Sequence, residues 1–318
     1  MPAPSAHPAH AAPRSGRDEV IAQDHTGRLQ WLMSERHKTA FVIAGGGSFG
    51  AVHAGMLRAL VAHGVTPDMI IGSSVGAMNG AYFAFAPDAD GVGKLEAIWR
   101  GLSRRDVFPV GVSTLSNLAF RGEFGIETSG LRRLIDTHLP GRTLEQARLP
   151  IHVVATDFLS GEAVVLADGP VADAVIASCA IPGAFAPVLH RTRYLTDGAV
   201  ASNTPIKIAA DLGATRAIVL PTGFACALKE PPRGAIAHAL HAVTLLIARQ
   251  LISDMQIIGQ RLEISIVPSL CPLGGAAHDF SHAAELIERA AQSTLIWLET
   301  GGLERRDVPD QLRAHGHR

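Results

Sequence analysis

Charge of one sign, aromatic rings and cysteine are all scarce in this chain. Its 28 Lys and Arg nearly balance 29 Asp and Glu, leaving a formal net charge of −1 over 318 residues. That excludes the basic stripe on which nucleic-acid binding rests. Aromatics are 5% of the residues, too few for a base-stacking surface. The three cysteines, Cys179, Cys226 and Cys271, stand far apart. They give neither a metal-ligand spacing nor a disulfide framework, and a reducing cytoplasm is the expected setting. The first thirty residues hold no continuous apolar stretch, so no secretory signal is expected. The densest apolar run, 235–248, is too short for a bilayer and is interrupted by His238 and His241, so no transmembrane segment is expected.

What the chain does have is 47% hydrophobic residues, enough for a large core. No linker divides it. The expected organisation is one α/β domain over 37–300, after a mostly disordered tail over 1–36 and before a polar tail over 301–318. A short helix is expected over 23–35.

Residues 42–80 organise the rest. An apolar β-branched run ends at Ala44, and Gly45, Gly46 and Gly47 break it. Helical spacing follows, with Val52, Met56, Leu57 and Leu60 recurring at three and four residues. Met69, Ile70 and Ile71 make a second buried strand, which runs into Gly72-Ser73-Ser74-Val75-Gly76. This pentapeptide fits the G-x-S-x-G nucleophile elbow. The serine sits on a strained strand-to-helix turn, and side chains at Gly72 or Gly76 would crowd it. The following helix offers its N-terminus to a developing alkoxide at Ser74.

Gly45, Gly47 and Gly50 also fit the dinucleotide fingerprint, but that pattern needs an acidic residue where the second strand ends. Here that strand ends in Gly72-Ser73-Ser74. The better reading gives Gly45, Gly46 and Gly47 to an oxyanion hole facing the same crevice as Ser74. A tight turn without a ligand is the bland alternative.

A serine nucleophile needs a base. By position, His278 or His282 suits a serine–acid–histidine order. Asp197 stands at the end of Y-L-T-D-G-A-V, where Gly198 permits close backbone approach. Asp157, in T-D-F-L-S-G, is a rival, better read as a turn cap.

G-G-G-S-F-G, then G-S-S-V-G, then D-G-A, in this order, resembles the patatin-like phospholipase family. The segments V-A-T-D-F-L-S-G-E (154–162) and A-S-C-A-I-P-G-A-F-A-P-V (177–188) resemble that family too, and the likeness covers about 39–220. It implies an α/β/α three-layer sandwich around a mostly parallel sheet. It also implies a Ser–Asp dyad without histidine: Ser74 as nucleophile, Asp197 as base in the Asp197-Gly198-Ala199 motif, and Gly45–47 at the oxyanion. The implied activity is hydrolysis of lipid acyl esters, with no metal or organic cofactor. The implied partner is a lipid or ester substrate, with transient contact at a membrane surface. Phe49 departs from the family's Arg or Lys at that position, which shifts the expected substrate from phospholipids toward neutral esters or lysolipids. Two rivals keep the fold: an acyltransferase that hands the acyl-serine to a thiol or alcohol, and a silent binding or regulatory protein.

Further along, 87–91 reads as a loop, 94–102 as a helix, and 108–130 as a lid or an ordered surface loop. Ser129 reads as the N-cap of a helix to His138. Residues 151–166 read as a hairpin, and 171–179, 204–212, 235–258 and 283–298 as helices. Residues 217–220 and 262–267 read as strands, and 304–318 as frayed.

Overall fold

In the computed structural model the two apolar runs around the glycine loop lie side by side at the centre of a sheet. β1 (Thr39–Ile43) pairs in parallel with β2 (Met69–Ser73), Phe41 opposite Ile70. On its other side β1 pairs in parallel with β7 (Arg216–Leu220), which pairs in parallel with β8 (Glu263–Ile266). Beyond β2 comes β3 (Ile151–Asp157), also parallel. Burial of β1 and β2 on both faces explains their unbroken hydrophobic runs. The residues described are 38–108, 127–223, 226, 230, 235–274 and 276–312. The expected tail at 1–36, its helix at 23–35 and most of the expected lid (109–126) fall outside them.

The two-residue period of β1 divides the interior. Phe41 and Ile43 face one core, with Met56, Leu57 and Ile287; Ala40 and Val42 face another, with Ile206, Leu251 and Met255. The first core lies under α1 (Ala51–Ala62), α2 (Val75–Phe85), α3 (Ala89–Gly101), α5 (Ser129–His138), α6 (Val171–Ser178) and α10 (Ala283–Glu299). The second lies under α8 (Ile206–Asp211) and α9 (Ala235–Ile258). Two short helices, α4 (Arg104–Val107) and α7 (Ala199–Ser202), complete the α-helices among the described residues. The fold is therefore an α/β/α sandwich.

One edge of the sheet is antiparallel. β4 (Ala163–Leu166) pairs with β3, as the expected hairpin requires. β6 (Arg193–Asp197) also pairs with β3, and β5 (Val188–His190) with β6. β3 has only two edges. Val154 pairs with β4 and with Ser73 of β2; Ala155 pairs with β4 and with Asp197 of β6. Strands β2 and β6 therefore occupy the same edge of β3, running toward each other and stopping at adjacent rungs.

Three local expectations are corrected. Residues 87–91 are not a loop: α3 begins at Ala89, because the Asp88 side chain accepts from the Gly91 amide and caps the helix. Helix α5 does start at Ser129, but its N-cap is Thr128, and without a side-chain cap bond. The C-terminal stretch does not fray at 304. Leu303 O accepts from Arg216 (3.0 Å) and Ser265 Oγ (2.6 Å), Arg306 pairs with Glu263 at 3.0 Å, and Leu312 is buried.

Candidate active site

Ser74 sits between β2 and α2 at φ 54°, ψ −128°. Such a backbone costs a non-glycine residue of order 1–3 kcal/mol and persists only where neighbours enforce it. The neighbours are visible. A Cβ at Gly76 would strike Ile43 O, and one at Gly72 would meet the Gly76 carbonyl at 2.5 Å. Both glycines of the pentapeptide are needed for close backbone approach. The turn leaves Ser74 Oγ clear of its own strand at the end of β2.

Asp197 arrives from the opposite direction on the adjacent rung. Ser74 Oγ donates to Asp197 Oδ2 at 2.7 Å. The Ala199 amide donates to Oδ1 at 2.8 Å, and Thr156 Oγ1 holds the Asp197 carbonyl at 2.8 Å. The carboxyl is 3% exposed. Burial pushes its pKa up to about 6, against the opposing hydrogen bonds from Ser74 and Ala199. It is thus a stronger base than an ordinary aspartate and still ionised at neutral pH. Gly198 could carry no side chain, since its Cβ would collide with Val154 O.

The glycine loop divides its amides. Gly45 N–H donates to Asn203 O (3.1 Å), and Gly45 O accepts from Thr222 Oγ1 (2.7 Å). The Ser48 amide donates to Ala277 O (2.7 Å) and Phe49's to Gly46 O (3.3 Å). Among the described residues, the amides of Gly46 and Gly47 have no protein acceptor, and Gly47 borders the same slot as Ser74. Beneath the loop, Asn79 of α2 donates to Gly50 O (2.9 Å) and accepts from Trp99 Nε1 (2.9 Å). His53 contacts Asn79 at 3.1 Å, and its complete burial lowers its pKa to about 3, so it stays neutral.

None of the other candidate bases has a hydrogen bond to Ser74. Asp157 Oδ1 accepts from the amides of Leu159 (3.0 Å) and Ser160 (3.1 Å), and these bonds hold its pKa low. It is a turn cap. His282 lies 3.7 Å from both Asp279 and Glu285 at the start of α10, exposed, and His278 is exposed too. Phe49 is buried in the core.

Two contributors escaped the sequence reading. Ser178 Oγ accepts from the Ser74 amide (2.8 Å) and donates to Val154 O (2.5 Å), while its carbonyl accepts from Gly198 N–H (3.1 Å). Cys179 is buried beside Ser74 in the apolar slot. Both stand in A-S-C-A-I-P, where the signal was a polar residue inside an otherwise apolar helix end.

A family profile described as patatin-like phospholipase matches residues 41–210, over half the chain. The chain belongs to the patatin-like phospholipase family. It is 30% identical over 168 residues to an NTE family protein of Mycobacterium tuberculosis, covering 52% of this chain and 27% of that one. It is 28% identical over 186 residues to patatin-like phospholipase domain-containing protein 7 of Rattus norvegicus, covering 58% of this chain and 13% of that one. The matches therefore span about a quarter or less of those relatives' lengths. Among solved structures, VipD from Legionella pneumophila aligns over 83% of this chain and 67% of its own, at 15% identity and a TM-score of 0.45.

Proposed function

We propose that this protein is a serine acyl hydrolase of lipid esters that works through a Ser74–Asp197 dyad. The supporting observation is the 2.7 Å bond from Ser74 Oγ to a buried carboxylate at a strained strand-to-helix turn. In the first step Ser74 Oγ attacks the ester carbonyl as its proton passes to Asp197. The amides of Gly46 and Gly47 are the donors available to the oxyanion; a lost donor typically costs about 3 kcal/mol of transition-state stabilisation. Collapse expels the alcohol, which takes the proton from Asp197. Water then attacks the acyl-serine, giving its proton to Asp197, and Ser74 recovers it as the acid leaves.

A fluorophosphonate probe is the direct test. It should label the wild type and fail on Ser74→Ala; equal labelling of both would refute the dyad. Thiol or alcohol acceptors should not accelerate acyl release, which separates hydrolysis from acyl transfer.

With Phe49 buried in the core, that position offers no cation to a phosphate head group, so neutral esters and lysolipids are the favoured substrates. Strong preference for phosphatidylcholine over a monoacylglycerol would overturn this. Among the described residues, no helix is long and apolar enough to cross a membrane. Transient contact of the domain over 37–300 with a lipid surface is part of this proposal.

A further inference from the structure

The scattered spacing of the three cysteines suggests no disulfide framework, yet the fold brings two of them into contact. Cys226 follows β7 and Cys271 follows β8, 45 positions apart, and their sulfurs lie 3.8 Å from each other. Cys226 is buried and Cys271 half-buried. The Leu273 amide donates to Cys226 Sγ at 3.4 Å. The two stretches also touch nearer their strands, where a Cβ at Gly223 would stand 3.2 Å from Ser269 Cβ.

β1, β7 and β8 are parallel neighbours, so the chain leaves all three at the same end of the sheet. There the two stretches grip the glycine loop that follows β1. Thr222, four positions before Cys226, donates through Oγ1 to Gly45 O at 2.7 Å, and its side chain fills the space beside Gly46. Ala276 and Ala277, five and six positions after Cys271, accept from Ser48. Ala276 O takes the hydroxyl at 3.2 Å and Ala277 O the amide at 2.7 Å. A Cβ at Gly47 would strike Ala277 O. A bond between the two sulfurs would therefore tie together the two braces of the loop. A disulfide holds its sulfurs about 2.05 Å apart, so closing this pair takes about 1.8 Å of approach, a distance that χ1 rotation of two cysteines covers.

We propose that Cys226 and Cys271 are a site of reversible disulfide formation by exchange with small-molecule disulfides, and that the bond clamps the glycine loop. Cys271 is the more accessible thiol. It loses its proton, and the thiolate attacks one sulfur of the incoming disulfide, expelling the other half as a thiolate. Cys226, deprotonated in turn, attacks the Cys271 sulfur of the mixed disulfide and expels the second half. Two protein thiols and one small disulfide become one protein disulfide and two small thiols. Burial and the neighbouring Cys226 hold the Cys271 thiol above its ordinary pKa, against the pull of Arg289, so linking is slow at neutral pH and quickens in alkali. Under reducing conditions a bond of this kind is transient.

The test incubates the wild type with oxidised glutathione at mildly alkaline pH. Expected are a mass loss of about 2 Da, a peptide pair joined through Cys226 and Cys271, and a rise in melting temperature of about 5 °C, all reversed by dithiothreitol. Hydrogen exchange at the Ser48 and Phe49 amides should slow about tenfold on linking. Cys226→Ser should stop at a glutathione adduct on Cys271, and Cys271→Ser should resist the reagent. Failure to link Cys226 with Cys271, or linkage of either to Cys179, overturns the site. Linkage with an unchanged melt and unchanged exchange overturns the clamp. None of these readouts depends on turnover, so they stay separate from the test of the acyl-hydrolase reading.

Discussion

Burial makes Asp197 a better base and, for the same reason, a burden on the fold. Its pKa stands at about 6, against an ordinary value near 3.8. In the proposed mechanism Asp197 must be ionised to accept the Ser74 proton, so kcat/KM should rise with pH, pass its midpoint near pH 6 and level off above. A flat profile from pH 5 to 8 would remove Asp197 from that role. The stability consequence has the opposite slope. Below about pH 4 both folded and unfolded chains hold the proton, and there is no penalty. Between pH 4 and 6 the unfolded chain releases it while the folded one keeps it, so stability falls as pH rises. Above 6 the penalty is constant, of order 3 kcal/mol for a shift of this size. Asp197→Asn should therefore abolish turnover yet raise the melting temperature at pH 8, with no gain at pH 4. Thermal melts at the two pH values check this.

At the scale of elements, the end of α6 locks the site. Ser178 holds the Ser74 amide, the Val154 carbonyl and the Gly198 amide, joining the elbow, β3 and the aspartate turn. Ser178→Ala leaves buried polar groups unpaired, a loss of about 1–3 kcal/mol of stability. Because misplacement mainly affects the reacting geometry, kcat should fall roughly tenfold to a hundredfold with KM little changed. Ser178→Thr, which keeps the hydroxyl, should recover part of the rate; no recovery would make the effect one of folding alone. Legibility also divided at this scale. The parallel strands and long helices were readable because their apolar periods are long: 235–258 coincides with α9, and 283–298 falls one residue short of α10. Strand β5, three residues long, carries too little pattern to read. The start of α3 was hidden because Asp88, Ala89, Asp90 and Gly91 have the composition of a turn while Asp88 acts as a cap. Ser74 and the expected Asp197 could be marked in the sequence, but the bond between them depends on register along β3. Ser178's hydrogen bonds depend on where α6 ends against that strand, which no local period encodes.

At the scale of the whole molecule, the sheet closes at opposite edges by different means. The antiparallel strand β4 finishes one side, while the stretch after α10 seals the other through Leu303, Arg306 and Leu312. Removing residues 302–318 uncovers β8 and should lower the melting temperature by roughly 5 °C or more. An unchanged melt would show that the seal is incidental. Ser74 and Asp197 are separated by 123 positions, and they meet only where two strands converge on a third. Under the proposed mechanism, a nascent chain emerging from the ribosome carries an inert alcohol until the strand bearing Asp197 has been made and seated. Turnover would then begin only when the later half of the sheet locks onto the earlier one.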